Sequence, residues 1–387
     1  IGASLTGGPA LRKASRRNVR GQIFMTYPGL KFSISGPISS VRVLLKILDG
    51  KLQLNELSLM EFESARYQFL DQIHGLESRS MDGLTHTRAM ELYFEKHYTV
   101  GQLESAIDNL NRTQFNEELP GLFTKGRIKA FTYGNVTPDT AHALVKQVTS
   151  NFSFDVVSKD KVFRLSKLQF PTGKRIVIGD TAPSRYSGLR ETHCFDNHTT
   201  RNRMAVVLIE QLVKEDFPRY LVNQKQVGDN AAAGYWNTKS NPACLVFTTR
   251  SENHHPRKIS NLVNQYIQSQ IARVQSMSDT EFRVIKATAK QLVGQKPQSF
   301  EGRANQLSSV LFQFRGQFNR TKRSLSVLDS MSKNDLVNFI RILKDPGQAN
   351  IFEIRAYGRH QPNYGKNIEF ITPNRLPRWK QRQPYGE

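Results

Sequence analysis

The side chains able to bind a metal or attack a bond are few, and they are badly spaced for hydrolytic chemistry. The nine histidines stand at 74, 86, 97, 142, 193, 198, 254, 255 and 360, and no two are four positions apart. A helix-borne zinc site needs two histidines one turn apart with a carboxylate beside them as general base, so none can be assembled locally. His74-Gly-Leu-Glu77 continues with Ser78 where a second ligand would stand. His193-Cys194 with His198 gathers three metal-capable groups, yet one loop without a second pair reads as a polar turn. His254-His255 precedes Pro256 and belongs to the start of a helix. The run Phe312–Arg323 interleaves aromatic and cationic residues as single-strand nucleic-acid binders do, which makes Arg315, Arg320, Lys322 and Arg323 candidate phosphate contacts. Gly75, Gly83 and Gly101 form no phosphate loop.

These residues must be held by elements that announce themselves best between Tyr98 and Val148. Thr99 with Gln102 reads as a capping box for a helix carrying Val100, Leu103, Ile107 and Leu110 on one face. Thr113 is the expected cap of a second helix with Phe115, Leu119, Leu122 and Phe123 inward, closed by Gly126. The β-rich run Arg127–Tyr133 is the expected strand after it. Gly134-Asn135 then turns the chain, Thr137 caps the next helix, and Pro138 takes its first position ahead of Ala141, Leu144, Val145 and Val148. Part of this arrangement returns near the C-terminus, where Ser332 caps a helix and a strand ends in Tyr357-Gly358, as the first ends in Tyr133-Gly134. Ser58–Glu61 and Ser278–Glu281, and the strands Leu30–Ser35 and Leu245–Arg250, recur in the same order at nearly the same separation. The repeat implies two homologous domains, residues 1–170 and 171–387, the first truncated or degenerate at its beginning because nothing in it matches the strand Lys174–Gly179. The fold class expected is α+β.

At 387 residues, 38% hydrophobic and 10% aromatic, the chain can bury two cores, and no apolar run is long enough to span a membrane. Cys194 and Cys244 cannot form a disulfide framework; a single bridge between them stays open, and a reducing or mitochondrial-matrix compartment fits. Against 33 acids stand 55 Lys and Arg, a net charge of +22, which suggests an acidic partner such as a protein surface, anionic lipid or RNA. Residues 1–48 hold eight Lys or Arg and no acid, and the stretch Arg375–Arg382 adds four more.

Laid out in this way, the chain resembles the C-terminal half of the insulin-degrading-enzyme branch of the pitrilysin zinc metallopeptidases. Gly134-Asn-Val-Thr137, Lys296-Pro297, and Gln317-Phe-Asn-Arg320 followed by Leu328 and Ser332 carry the likeness. The resemblance implies two α+β domains, each a mostly antiparallel sheet with helices on one face. It also puts the Phe312–Arg323 aromatics at a helix end that enters the core. That family's zinc sits in its other half, so the resemblance implies no metal or other cofactor here, with zinc only in a partner half. Active members supply an Arg and a Tyr from a segment Arg-x-x-x-Gln-Leu-Gly-Tyr; the matching stretch is Val222-Asn-Gln-Lys-Gln226-Val227-Gly228-Asp229. Val222 cannot hold a carbonyl oxygen or carboxylate as a guanidinium would, and Asp229 puts a negative charge where a neutral donor stood. Arg219 and Tyr235 are the substrate-contact candidates that could replace them. The expectation is a catalytically inactive structural subunit among other protein subunits of a large mitochondrial complex. The alternatives are the substrate-chamber half of a peptidase, cytoplasmic residence, and an RNA-contacting subunit.

Overall fold

A computed structural model describes residues 19–26, 29–48, 56–77, 80–150, 155–158, 161–162, 166–169, 175–236, 238, 242–314, 316–360 and 370–386. The chain forms two compact units, one of Ile1–Ile73 with Gly101–Leu165 and one of His74–Val100 with Ser166–Glu387.

In the first unit, β1 (Arg20–Thr26) and β2 (Gly29–Ser35) make the expected antiparallel hairpin, registered from Arg20↔Ser35 to Thr26↔Gly29. Ser58 and Glu61 form the expected capping box before the helix Leu59–Glu77, the Ser58 N–H donating to Glu61 Oε2 at 3.0 Å. The next cap differs from expectation. The helix Arg112–Glu118 is capped by Asn111, whose Oδ1 accepts from the Gln114 N–H at 2.9 Å while Gln114 reaches back. Thr113 has Asn116 three residues on, and that amide is engaged with the Leu57 backbone instead, at 2.9 Å and 3.2 Å. The strand expected at Arg127–Tyr133 does not form: the short β3 is Lys125–Gly126, just before it, parallel to β4 (Asp155–Val156). Ladder hydrogen bonds define a strand, so β propensity without a partner of matching length does not extend it. The helix Pro138–Thr149 is as expected, with Thr137 Oγ1 accepting from the Thr140 N–H at 3.3 Å. The arginine-rich start and the stretch around Pro171 lie outside the described residues, as do the Leu122 and Phe123 side chains.

The second unit is built on a five-stranded sheet in the order β6-β10-β7-β9-β8, flanked by the short pair β5 (Lys167–Leu168) and β11 (Tyr385–Gly386). Its strands are β6 (Arg175–Thr181), β7 (Ser187–Phe195), β8 (Asn230–Tyr235), β9 (Cys244–Ser251) and β10 (Ala349–Tyr357). β6 runs parallel to β10 and every other neighbour is antiparallel. Alternating side chains point to opposite faces, so Leu189, Glu191, His193 and Phe195 share one face of β7 with Leu245 and Phe247 of β9. The helices Thr200–Val213, Pro256–Ser276 and Lys333–Lys344 pack there, in one core with Ile259, Val263, Leu336 and Ile340. Each fully buried Leu, Ile or Phe in that layer contributes about 1.5–3 kcal/mol. Ser278 and Ser332 cap their helices as expected, each with a reciprocal carboxylate at the third helical position. The opposite face is covered by the helix Met81–Tyr93, whose Met81 sits where a Cβ on Gly188 would stand.

The sequence reading did not find β7, the middle strand of the sheet. Arg190, Glu191, Thr192 and His193 in a row look like a turn, yet all nine residues of the strand are buried. They tolerate burial because the charged ones meet partners from distant segments. Cys194 and Cys244 are register partners on β7 and β9 and are joined by a disulfide.

Candidate functional site

The stretch Val222–Asp229 lies where a short helix, Asp216–Pro218, runs into a π-helical turn, Arg219–Gln224, before β8. The Lys225 N–H donates to the Tyr220 carbonyl at 3.0 Å and the Val227 N–H to the Leu221 carbonyl at 2.9 Å, tightening the turn. Gln226 has φ 53° and Gly228 φ 87°, and a Cβ on Gly228 would stand 2.7 Å from the Arg250 carbonyl oxygen. Such backbone is strained for ordinary residues and is found at working sites. The side chains it presents are unreactive. Val222 packs half-buried against the helical core, and Asp229 is exposed, its N–H bonded to the Arg250 carbonyl at 3.1 Å. Arg219 is exposed in the same turn. Tyr235 ends β8, five strand rises of about 3.4 Å beyond Asn230.

Tyr235 meets arginines. Its phenol is pushed up to about 12 by burial, a shift opposed by Arg203 and Arg320. Arg203 lies in the second turn of the helix Thr200–Val213 and Arg320 opens the helix Arg320–Ser330, and these two helices pack on each other. Arg320 stacks on the Phe314 ring at 3.7 Å, and Arg323 donates to Gln317 Oε1 at 2.9 Å. The structure thus joins a residue read as a substrate contact to residues read as phosphate contacts. Lys322 is exposed on the same helix, and Arg315 lies outside the described residues. Sequence reasoning missed Arg203, because only packing places its helix against Arg320.

A second charged constellation is buried in the sheet. Glu191 and Glu353 face each other across β7 and β10, both fully buried. Arg175 bridges them: it bonds Glu353 Oε1, reaches Glu191 Oε1 at 3.1 Å, and also donates to Asn264 Oδ1 at 2.9 Å. Arg355 holds the other oxygen of Glu353, its Nε donating at 2.7 Å. Burial and the neighbouring Glu191 push Glu353 above the usual carboxylate range, whereas His193 and Arg175 outweigh burial and lower Glu191. His193 Nδ1 faces the Leu343 carbonyl at 2.8 Å and must donate to it, so Nε2 meets Glu191 Oε1 at 2.9 Å across a single shared proton. The alternating charged positions Glu353 and Arg355 within an otherwise apolar strand were the available signal for this network.

The metal-capable trio reads differently in space. His193 is tied to Glu191, Cys194 points to the other face and is oxidised, and His198 accepts from the Ala243 N–H at Nδ1, 3.1 Å away. His198 Nε2 therefore carries the proton and donates to the Tyr93 hydroxyl at 3.1 Å. Among the described residues no group of three or more His, Cys, Asp or Glu is placed to hold a metal ion.

A family model described as PQQ synthase PqqF-like, C-terminal lobe domain 4, matches residues 208–308, which include the Val222–Asp229 turn. The chain is 20% identical to insulin-degrading enzyme of Homo sapiens over 326 residues, covering 82% of this chain and 31% of the enzyme. It thus spans about a third of the curated relatives it matches. Among solved structures, pitrilysin superposes over 100% of this chain and 41% of its own, with a TM-score of 0.81 at 14% identity. A peptidase M16 inactive domain from Pseudomonas fluorescens matches 95% of this chain and 88% of its own, with a TM-score of 0.66 at 12% identity. The fold, the matched family model and the order of elements agree: the chain has a pitrilysin-like fold and is similar to the C-terminal half of those peptidases.

Proposed function

We propose that this chain is a catalytically silent, peptidase-like structural subunit of a larger mitochondrial assembly, built from two homologous domains and needing no cofactor of its own. The observation that carries the reading is the turn before β8. It keeps its left-handed backbone at Gln226 and Gly228 while offering Val222 and Asp229, neither of which can polarise a carbonyl. A turn that costs strain yet carries no chemistry suits a fold retained for its shape. The mitochondrial setting rests on basic charge and few cysteines. Within that setting, the Cys194–Cys244 bond supports a compartment where thiols can be oxidised.

The alternative is the substrate-chamber half of a zinc peptidase, favoured by the exposed Arg219 in the same turn. Gentle purification of the native particle with mass spectrometric identification of its components, followed by a peptide-cleavage assay with and without chelator, separates the two. An inert particle of many subunits, found in the mitochondrial fraction, is the expected result. A partner with a zinc-binding histidine pair and chelator-sensitive cleavage would establish the chamber half.

A further inference from the structure

Arg203, Arg320 and Arg323 gather at one end of the edge strand β8 without a counter-charge. Among the described residues none of the three has a carboxylate partner: Arg203 NH1 goes to the His198 carbonyl, Arg320 to the Phe314 ring and Arg323 to Gln317. The acids nearby are already engaged. Glu210 accepts from the Tyr235 N–H at 3.2 Å, and Asp335 holds Arg201 at 2.7 Å. Burial and mutual repulsion lower both Arg203 and Arg320 from the usual guanidinium value, which an incoming anion would relieve.

The setting favours one class of anion. Phe314 is covered by Arg320 and Tyr235 is largely buried, so the two rings that meet these arginines offer no open face on which a base could stack, and the exposed ring beside them is Phe318. The sheet ends at β8, whose Tyr235 N–H is taken by Glu210 while its Asn-Ala-Ala-Ala-Gly stretch puts few bulky side chains beside the rest of the edge. An extended polypeptide can add to such an edge through its main chain while its carboxylates reach guanidinium forks. We propose that Arg203, Arg320 and Arg323 form a binding site for an acidic, extended polypeptide segment laid beside β8. The site stands for either a scaffold or a chamber half, because none of its groups lies in the Val222–Asp229 turn.

The test is fluorescence anisotropy with a labelled oligoglutamate peptide and a labelled oligouridylate at moderate salt. It compares the intact chain, R203Q/R320Q, and a charge-matched control, K129Q/K146Q, whose two lysines are exposed in the other unit. Charge-assisted bonds lost from two arginines should weaken oligoglutamate binding at least about tenfold, with the control within about twofold of the intact chain. R323Q alters an exposed side chain and should give a smaller loss, even where the double substitution perturbs folding. Equal losses in R203Q/R320Q and the control, or none in any variant, would overturn the proposal. Oligouridylate binding that needs the same arginines while oligoglutamate does not bind would reassign the site to nucleic acid.

Discussion

Arg175 is the side chain on which the buried charge of the sheet depends. It is the contact shared by Glu191 and Glu353, which otherwise stand opposite each other in the dry interior. Arg175→Ala leaves them with Arg355, His193 and the Asn264 amide, and removing one partner of a buried ionic network costs about 3–5 kcal/mol. Chemical denaturation should show that loss, and a change within a few tenths of a kcal/mol would mean the carboxylates share a proton without the arginine. His198 gives a pH signature. Burial lowers it to about 4 from an ordinary 6.5, so on acidification the unfolded chain takes up the proton first. Its contribution is complete above about pH 6.5 and is lost as pH falls from there toward 4, on the order of 2 kcal/mol. His86 and His97, also lowered by burial, act in the same direction. Thermal melts across this window should therefore flatten in part, not wholly, in H198Q; an unchanged slope would show that His198 is protonated in the folded chain.

At the scale of elements, the helices were legible because a cap and its partner lie three residues apart. Ser58–Glu61, Ser278–Glu281 and Ser332–Asp335 all close as their spacing predicts. The strands were legible only where apolar residues announced them, as in β9 and β10. β7 was not, since the partners that make its arginine, glutamate and histidine tolerable lie far along the chain; His193 is bonded to a carbonyl 150 positions away. The turn before β8 can be tested as an element. Gly228 combines φ 87° with a carbonyl oxygen 2.7 Å from where a Cβ would stand, so Gly228→Ala should cost more than about 1 kcal/mol. Gln226→Gly, at φ 53°, should be neutral or stabilising in the same denaturation assay. If G228A is as stable as the native chain, the turn is not held by its backbone, and its retention loses its physical basis.

For the whole molecule, a net charge of +22 bears on association more than on fold. Contacts with acidic partners should weaken as the Debye length falls from about 10 Å at 0.1 M salt to about 3 Å at 1 M. Gel filtration of the native particle over that range should release this chain. Retention at the highest salt would point to an apolar interface instead. By itself the sequence determined what depends on composition and short spacing: the capped helices, the α+β class, the absence of a local histidine pair, and Val222 and Asp229 in the turn. Only the tertiary structure decided that β7 is the central strand, that Cys194 meets Cys244, and that Arg203 joins Arg320. The reason is physical. A cap or an amphipathic stripe is settled within a few residues, whereas a strand pairing, a disulfide or an arginine cluster is fixed by which distant segments the core brings into contact.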